Sequence, residues 1–479
     1  MNYSIIIYIL GWVMTFEAGF MLFPCLIALI YNEKAGFVFL GCAVAAAIVG
    51  RILTLKKPKN NLFYAKEGFV AVALSWILLS IVGAVPVYLS GAIPDIIDAL
   101  FEIVSGFTTT GASILGDVES LPRCVMFWRS FSHWIGGMGV LVFLLAILPL
   151  TGGHNIHLMR AESPGPSVGK LVPRMRKTAI VLYVIYTVMT IAEIIFLIAG
   201  KMPVFDSICI SFGTAGTGGF GIRNDSAAGY SSYAQIVITV FMMLFGVNFN
   251  FYFLLLVKRF RDAIKMEEVR WYFIIYFGSV LAITANITKN AVDFADNLKH
   301  AAFQTASIMT TTGFSTMDFD AWPQFSRALL LLLMFIGACA GSTGGGIKVS
   351  RIIIYIKYFL KELSYSIHSR NVKVIKSGNK AIESSTIRIA NGFLVAYLII
   401  MLFSFMLITF DGFDLETSFT AVAATINNIG PGLGKVGPAC NFSGFSYLSK
   451  IVLIFDMLAG RLELFPMLIL FAPKTWKRY

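Results

Sequence analysis

The sequence predicts an all-α polytopic membrane protein. Ten transmembrane helices are expected: four pseudo-fourfold helix–pore loop–helix repeats around one central pore, plus two extra N-terminal helices. Three observations predict it: a bilayer-like composition, apolar segments of spanning length, and four similar glycine loops at matching points between them.

The 479 residues are 57% hydrophobic and 13% charged, with a mean hydropathy of +0.78. Soluble domains are about a quarter charged. The six cysteines, Cys25, Cys42, Cys124, Cys209, Cys339 and Cys440, are scattered, with no CxxC pair and no Cys/His cluster. They read as membrane residues, not as a disulfide framework or a zinc site. The first apolar run has no basic segment before it and no cleavage site, so a retained span is expected rather than a signal peptide.

A span needs about 20 mostly apolar residues. Such segments occur at roughly 4–31, 36–54, 68–90, 124–149, 177–199, 232–257, 270–288, 324–358, 387–410 and 447–471. Short amphipathic stretches, Pro94–Thr108, Val204–Thr214, Leu298–Thr310 and Asp414–Thr425, lie between the third and fourth, fifth and sixth, seventh and eighth, and ninth and tenth. They are too short to span, and re-entrant half-helices fit. The expected units are two N-terminal helices (1–66), repeat 1 (67–150), repeat 2 (151–263), repeat 3 (264–360), a cytoplasmic linker (361–385) and repeat 4 (386–479).

Charge sets the orientation. Arg51, Lys56, Lys57, Lys59 and Lys66 form one basic cluster, Arg160, Lys170, Arg174, Arg176 and Lys177 a second, and Lys258, Arg259, Arg261, Lys265 and Arg270 a third. With ten spans these, and segments 348–389 and 474–479, share one side, which the positive-inside rule makes cytoplasmic. Both termini are then inside. The net charge of +12 becomes a basic inner face beside anionic lipid, not a sign of nucleic acid. The opposite face holds Asp95, Asp98, Glu102, Asp117, Glu119, Asp206, Asp225, Asp293, Asp296, Asp318, Asp320, Asp411, Asp414 and Glu416. These are either ordinary loop polarity or a vestibule that concentrates cations.

Each half-helix leads into a glycine loop: Thr108-Thr109-Thr110-Gly111-Ala112-Ser113, Gly216-Thr217-Gly218-Gly219-Phe220, Thr310-Thr311-Thr312-Gly313-Phe314-Ser315 and Asn427-Asn428-Ile429-Gly430-Pro431-Gly432. A half-helix entering from outside points its partly negative C-terminal end at the axis, which favours a cation. Glycine frees the backbone that follows, and four such loops around one axis can replace the hydration shell of a potassium ion with carbonyl oxygens. The runs expected to face the pore are Thr109 to Ser113, Thr217 to Phe220, Thr311 to Ser315 and Asn428 to Pro431, with threonine hydroxyls as a second oxygen layer. Because the loops differ from one another, the filter is expected to have fewer good ion sites than a fourfold-symmetric one.

These motifs resemble those of the TrkH/TrkG-type membrane subunits of bacterial Trk potassium uptake systems, within the Trk/Ktr/HKT superfamily. The resemblance also runs through Trp128-Arg129-Ser130-Phe131-Ser132-His133-Trp134-Ile135-Gly136-Gly137-Met138-Gly139, Gly341-Ser342-Thr343-Gly344-Gly345-Gly346-Ile347-Lys348 and Gly460-Arg461-Leu462-Glu463. It implies potassium uptake across the bacterial inner membrane, and a homodimer with one pore per protomer. It also implies a cytoplasmic TrkA-type regulatory ring binding NAD(H) or ATP/ADP, and no cofactor in this chain. Gly111, Gly218, Gly313 and Gly430 match the family's filter glycines. The resemblance further implies that 341–346 is an intramembrane loop obstructing the pore below the filter, with Lys348 near the cytoplasmic exit.

The residues themselves leave some alternatives open. So many glycines around 341–346 cannot hold a stable helix, which fits a hinge or close helix packing; the spacing to Lys348 and the lack of a preceding strand argue against a phosphate loop. Arg461 lies in the middle of the last span, where a central arginine costs at least about 2.5–3.5 kcal/mol. It pairs with a carboxylate such as Glu193, Asp456 or Glu463, or it projects into the pore as a barrier. His133 is expected to be a packed hydrogen-bonding residue, with proton coupling the lesser reading; the same holds for Glu17, Glu193 and Asp456. Trp128, Trp134 and Trp322 are expected at the interface or facing lipid. Segments 361–388 and Pro164–Lys177 are regulator surfaces or plain solvated loops. No catalytic cluster points to an enzyme. A channel-like subunit and a potassium/proton or potassium/sodium symporter remain the two function classes.

Overall fold

A computed structural model describes residues 1–58, 65–139, 175–288, 293–368, 374–377 and 380–476. The second half of the expected span 124–149, most of the second basic cluster with Lys59, and parts of both expected regulator surfaces lie outside them. Apart from a two-stranded pair, Lys376–Ser377 with Lys380–Ala381, the described regular structure is helical.

In chain order the helices are α1 (Tyr3–Phe20), α2 (Leu22–Tyr31), α3 (Ala35–Thr54), α4 (Ala65–Leu89), α5 (Ile96–Phe107), α6 (Arg123–Gly137), α7 (Met175–Ala199), α8 (Val204–Gly216), α9 (Ser232–Phe245) and α10 (Phe249–Leu256). Then follow α11 (Phe260–Ile264), α12 (Glu267–Ile287), α13 (Phe294–Met309), α14 (Gln324–Ile336), α15 (Val349–Ile367), α16 (Ser384–Ile408), α17 (Leu415–Ile426), α18 (Tyr447–Arg461), α19 (Phe465–Phe471) and α20 (Pro473–Trp476).

Among the described residues, six segments are long and apolar enough to cross a bilayer: Tyr3–Tyr31, Ala35–Thr54, Ala65–Leu89, Ala179–Ala199, Glu267–Ile287 and Ser384–Asp411. Their outward faces carry bare apolar side chains such as Leu29, Phe37, Leu281 and Phe410. A seventh is the pair α9 and α10, bent by 88°. The expected spans at 232–257 and 447–471 are therefore not continuous helices. In the first, Gly246 lies against the Tyr272 hydroxyl, and Asn248 caps α10 through its side chain. In the second, Glu463 and Leu464 take left-handed backbone, and Pro466, which cannot continue the ladder, opens α19. The span at 324–358 breaks between Ile336 and Val349, where glycines were expected to break it.

The short helices α5, α8, α13 and α17 coincide with the four expected half-helices. Their starts follow local chemistry. The Asp95 carboxylate accepts from the backbone of Ile97 and Asp98, and the Asp414 carboxylate from that of Thr417. Pro203 presets the entry to α8. The N-terminal helices pack through small residues: Gly11 and Gly50 approach so closely that a Cβ on either would lie 2.9 Å or less from the facing helix. In this way α1 lies on α3 and α4, and α4 in turn packs on the first half-helix, α5.

Candidate functional site

The four half-helices end in the same way. The N–H groups of Thr109, Thr217, Thr311 and Asn428 bond back three residues, and those of Thr110, Gly218, Thr312 and Ile429 bond back five. That is the Schellman pattern, with a left-handed residue just past the helix. Here the left-handed residue is not glycine: φ is +55° at Thr109, +56° at Thr217, +60° at Thr311 and +54° at Asn428. Two residues on, a glycine again has positive φ: Gly111, Gly219, Gly313 and Gly430. The second loop is thereby re-registered. Gly219, not Gly218, corresponds to the glycines of the other three loops, while Gly218 occupies the place of Thr110, Thr312 and Ile429.

These glycines close a ring. A Cβ on Gly111 would lie 1.9 Å from the Gly218 carbonyl oxygen, and one on Gly219 would lie 1.9 Å from that of Thr312. One on Gly313 would lie 2.1 Å from that of Ile429, and one on Gly430 would lie 2.8 Å from that of Thr110. Each loop thus touches the next in chain order, and the fourth touches the first. No described residue donates a hydrogen bond to the carbonyls of Thr109, Thr110, Gly111, Thr217, Gly218, Gly219, Thr311, Thr312, Gly313, Asn428, Ile429 or Gly430. All but Gly111, Gly219 and Gly313 are buried, and buried carbonyls are rarely left so.

In the first and third loops the free run is shorter than the sequence suggested. Past the glycines, Phe314 O accepts from the Ser307 hydroxyl at 2.5 Å, Ser315 O from Ala227 N, and Ser113 O from Phe442 N. Ala112 is buried, and Pro431 packs its ring edge near Gly313. Nor do all the threonine hydroxyls form a free second layer. Thr108 and Thr110 bond to each other at 2.8 Å, Thr310 and Thr312 at 2.7 Å, and Thr217 donates to Gly216 O. The Asn428 amide ties the fourth loop to the first through Thr110 Oγ1 (3.0 Å) and to α18 through Met457 O. A cavity of about 150 Å³ opens on one side of the ring and one of about 80 Å³ on the other.

A buried scaffold braces the first two loops. Glu102 on α5 pairs with Arg129 on α6 at 2.6 Å and accepts from Ser113 Oγ and Ile114 N. The Arg129 guanidinium lies 4.1 Å from the Phe220 ring. His133 accepts from Phe220 N through Nε2, so its Nδ1 carries the proton given to Gly106 O at 2.7 Å. His133 is thus packed and fully bonded, and its ring occupies the space a side chain at Gly218 would need. Gly136 presses on Phe107 O and Gly137 on the Gly216 Cα, which explains the Trp128–Gly139 motif physically: α6 is wedged between two loop ends.

Several expectations are corrected here. Glu102 belongs to this buried pair, not to an open acidic vestibule. Other outer-face acids are also engaged: Asp98 with Lys450, Asp320 and Glu416 with Arg327, Asp296 with Lys299, and Asp206 with Arg223. The Tyr447 hydroxyl, donating to Asp95, holds that carboxyl below the usual range. Trp128 is buried, with its indole N–H on Gly83 O, rather than facing lipid. Asp456 accepts from Ser404, not from Arg461.

Beneath the ring runs the broken segment. Gly337, Gly341, Gly346 and Lys348 all have positive φ. Its two stems are zipped by Ile347 N to Phe335 O, Lys348 N to Ile336 O and Val349 N to Ala338 O. Its tip touches the loops directly: Gly345 N donates to Thr311 Oγ1 at 2.6 Å, Gly346 N to Asn427 O at 3.1 Å, and Gly344 lies against Thr310 O. Lys348 is buried, folds back onto Gly344 O and lines the smaller cavity. Ser342 closes a turn on Cys339 O, and Thr343 Oγ1 reaches Phe245 O.

Of its two expected roles, Arg461 does not take the carboxylate pairing. It pairs with none of Glu193, Asp456 and Glu463. Its guanidinium donates to Thr343 O (2.8 Å), Gly136 O (2.5 Å) and Gly137 O (2.7 Å), strapping the broken segment to α6, and it lines the smaller cavity. Glu463 is held by Arg351 at 2.5 Å. The residues that the sequence reading passed over are Arg129, Glu268, Asn248 and the Gly136–Gly137 carbonyls. Arg129 carried the same signal as Arg461, a cation in an apolar stretch.

The chain is similar to known proteins. The family profile described as TrkH, cation transport protein, matches residues 35–478. The Trk system potassium uptake protein TrkH of Salmonella typhimurium is 39% identical over the whole of both chains. TrkG of Escherichia coli K12 is 33% identical over 95% of each. The crystal structure of the potassium transporter TrkH from Vibrio parahaemolyticus superposes with a TM-score of 0.89 at 34% identity, covering all of both chains.

Gly219→Ala tests the register. Left-handed backbone costs an alanine about 1–2 kcal/mol, and its Cβ would displace the Thr312 carbonyl. The variant is expected to lose discrimination of potassium from sodium in proteoliposome flux, whereas Gly278→Ala, with open space around it, leaves discrimination unchanged.

Proposed function

The chain belongs to the TrkH family of cation transport proteins, and from that premise we propose that it takes up potassium across the bacterial inner membrane through a channel-like pore. One observation carries the reading: the ring of loop carbonyls, touching in cyclic order, that accept nothing from the described protein. Oxygens held in this way offer a potassium ion a substitute for its hydration shell.

The filter consists of Thr109, Thr110, Gly111 and Ala112; Thr217, Gly218 and Gly219; Thr311, Thr312, Gly313 and Phe314; and Asn428, Ile429, Gly430 and Pro431. The free carbonyls up to the glycines do the coordinating, and the residues after them anchor the loops. Gly341–Gly346 with Lys348 and Arg461 form the gate. Their contacts with Thr311, Asn427 and Gly136–Gly137 support a closed state in which the segment blocks the route below the filter.

The chain crosses the membrane ten times, several crossings being broken helices. Its units are 1–66, the repeats 67–150, 151–263, 264–360 and 386–479, and the linker 361–385. Both termini are cytoplasmic. It works as a homodimer with a TrkA-type nucleotide-binding ring on the basic inner face. The relatives named for the Trk system, itself a multi-component uptake system, support that assembly.

Channel-like conduction is favoured over potassium/proton or potassium/sodium symport because His133, the titratable side chain against the second loop, has both ring nitrogens bonded to backbone. In proteoliposomes the reversal potential follows the potassium gradient alone; a shift when only pH or sodium is changed contradicts the channel reading. Arg461→Ala frees Thr343 and is expected to raise potassium flux; unchanged flux at normal expression removes the strap from the mechanism.

A further inference from the structure

Glu268 is the second residue of α12, away from the ring. Its carboxylate nevertheless meets both stems of the broken segment. Oε1 accepts from Ala340 N at 2.5 Å, just before the tip, and from Ser350 N at 3.2 Å, just after it. Oε2 faces the Asn248 amide at 3.4 Å, at the bend between α9 and α10. That bend is itself docked on the segment, with Cys339 N on Gly246 O and Phe249 N on Gly341 O. One side chain therefore joins the two stems to each other and to the neighbouring broken span.

We propose that Glu268 is the latch of the gate: a positioning residue that holds the segment closed by bridging Ala340 and Ser350, without touching the ion route. The inference rests on the gate reading above.

Three features make this more than an incidental contact. A carboxylate is suited to accept two backbone N–H groups at once, and such charge-assisted bonds are the stronger kind. The stems approach so closely that a Cβ on Gly337 would lie 2.5 Å from Gly345 O, so only a few short bonds decide whether they stay together. The adjacent Glu267 pairs with Lys357 of α15 at 2.5 Å, so the start of α12 holds the far stem's helix as well. The basic cluster Lys258–Arg270 contains this same turn. A cytoplasmic partner pulling there acts on the latch directly.

The test is rubidium flux through the full chain in proteoliposomes, with Glu268→Ala, Glu268→Gln and Arg461→Ala measured together. Losing bonds to a charged acceptor shifts the closed–open balance by about tenfold. Glu268→Ala is expected to raise flux by that order with potassium-over-sodium discrimination intact. Glu268→Gln, whose amide oxygen still reaches both N–H groups, keeps most of the restraint. Raised flux in Arg461→Ala but not in Glu268→Ala overturns the latch alone; no rise in either overturns the gate reading beneath it. A rise accompanied by lost discrimination, or equal in the Ala and Gln variants, also overturns the latch. Should Glu268→Ala not accumulate folded, Glu268→Asp, one methylene too short to bridge, decides in its place: raised flux supports the latch and unchanged flux overturns it.

Discussion

The structure depends on four helix ends held in left-handed backbone by residues that do not favour it. Three of them are threonines, whose β-branched side chains make this conformation a true outlier. Each such residue costs about 1–3 kcal/mol and persists only where its surroundings over-determine it. Much of the described core can be understood as that over-determination. The Glu102–Arg129 pair and His133 lock the first and second ends. The broken segment lies on the third, and Asn428 ties the fourth to the first and to α18. What this strain secures is backbone whose carbonyls have no internal partner, a state the bilayer interior tolerates only where the backbone is buried in protein or lines a water-filled cavity.

The same constraint explains the asymmetry. A fourfold-symmetric assembly would repeat one brace four times. Here the second loop lacks the paired threonines of the first and third and is propped by a histidine ring instead, while the fourth uses an asparagine amide. The broken segment touches the third and fourth loops directly and reaches the first and second through Arg461 and α6. The broken segment and the loops are thus one hydrogen-bonded body on one side of the ring. A change in the segment is felt first at Thr311 and Asn427.

The half-helices and the glycine loops were legible in the sequence because both depend on local chemistry: amphipathic length, acidic caps and glycine. So was the break at 337–348. The register of the second loop was not, since Gly218 and Gly219 are adjacent and only backbone dihedrals tell them apart. The bends at Gly246–Asn248 and at Glu463–Leu464 were missed because hydropathy is blind to direction; Pro466 was the available signal. The buried Glu102–Arg129 pair was hidden because Glu102 reads alone as loop polarity, and Arg129, though a cation in an apolar stretch, does not name its partner on another helix. The partners of Arg461 could not be read at all, being backbone carbonyls of α6 and of the broken segment.

The central claim is that an ion sits among the carbonyls of Thr110, Gly218, Thr312 and Ile429. Anomalous scattering from crystals of this protein grown in rubidium or thallium measures it most directly. The account predicts a peak on the ring axis within coordinating distance of all four oxygens, weakened in Gly219→Ala. Peaks confined to the cavities on either side, with none among those four oxygens, would contradict it.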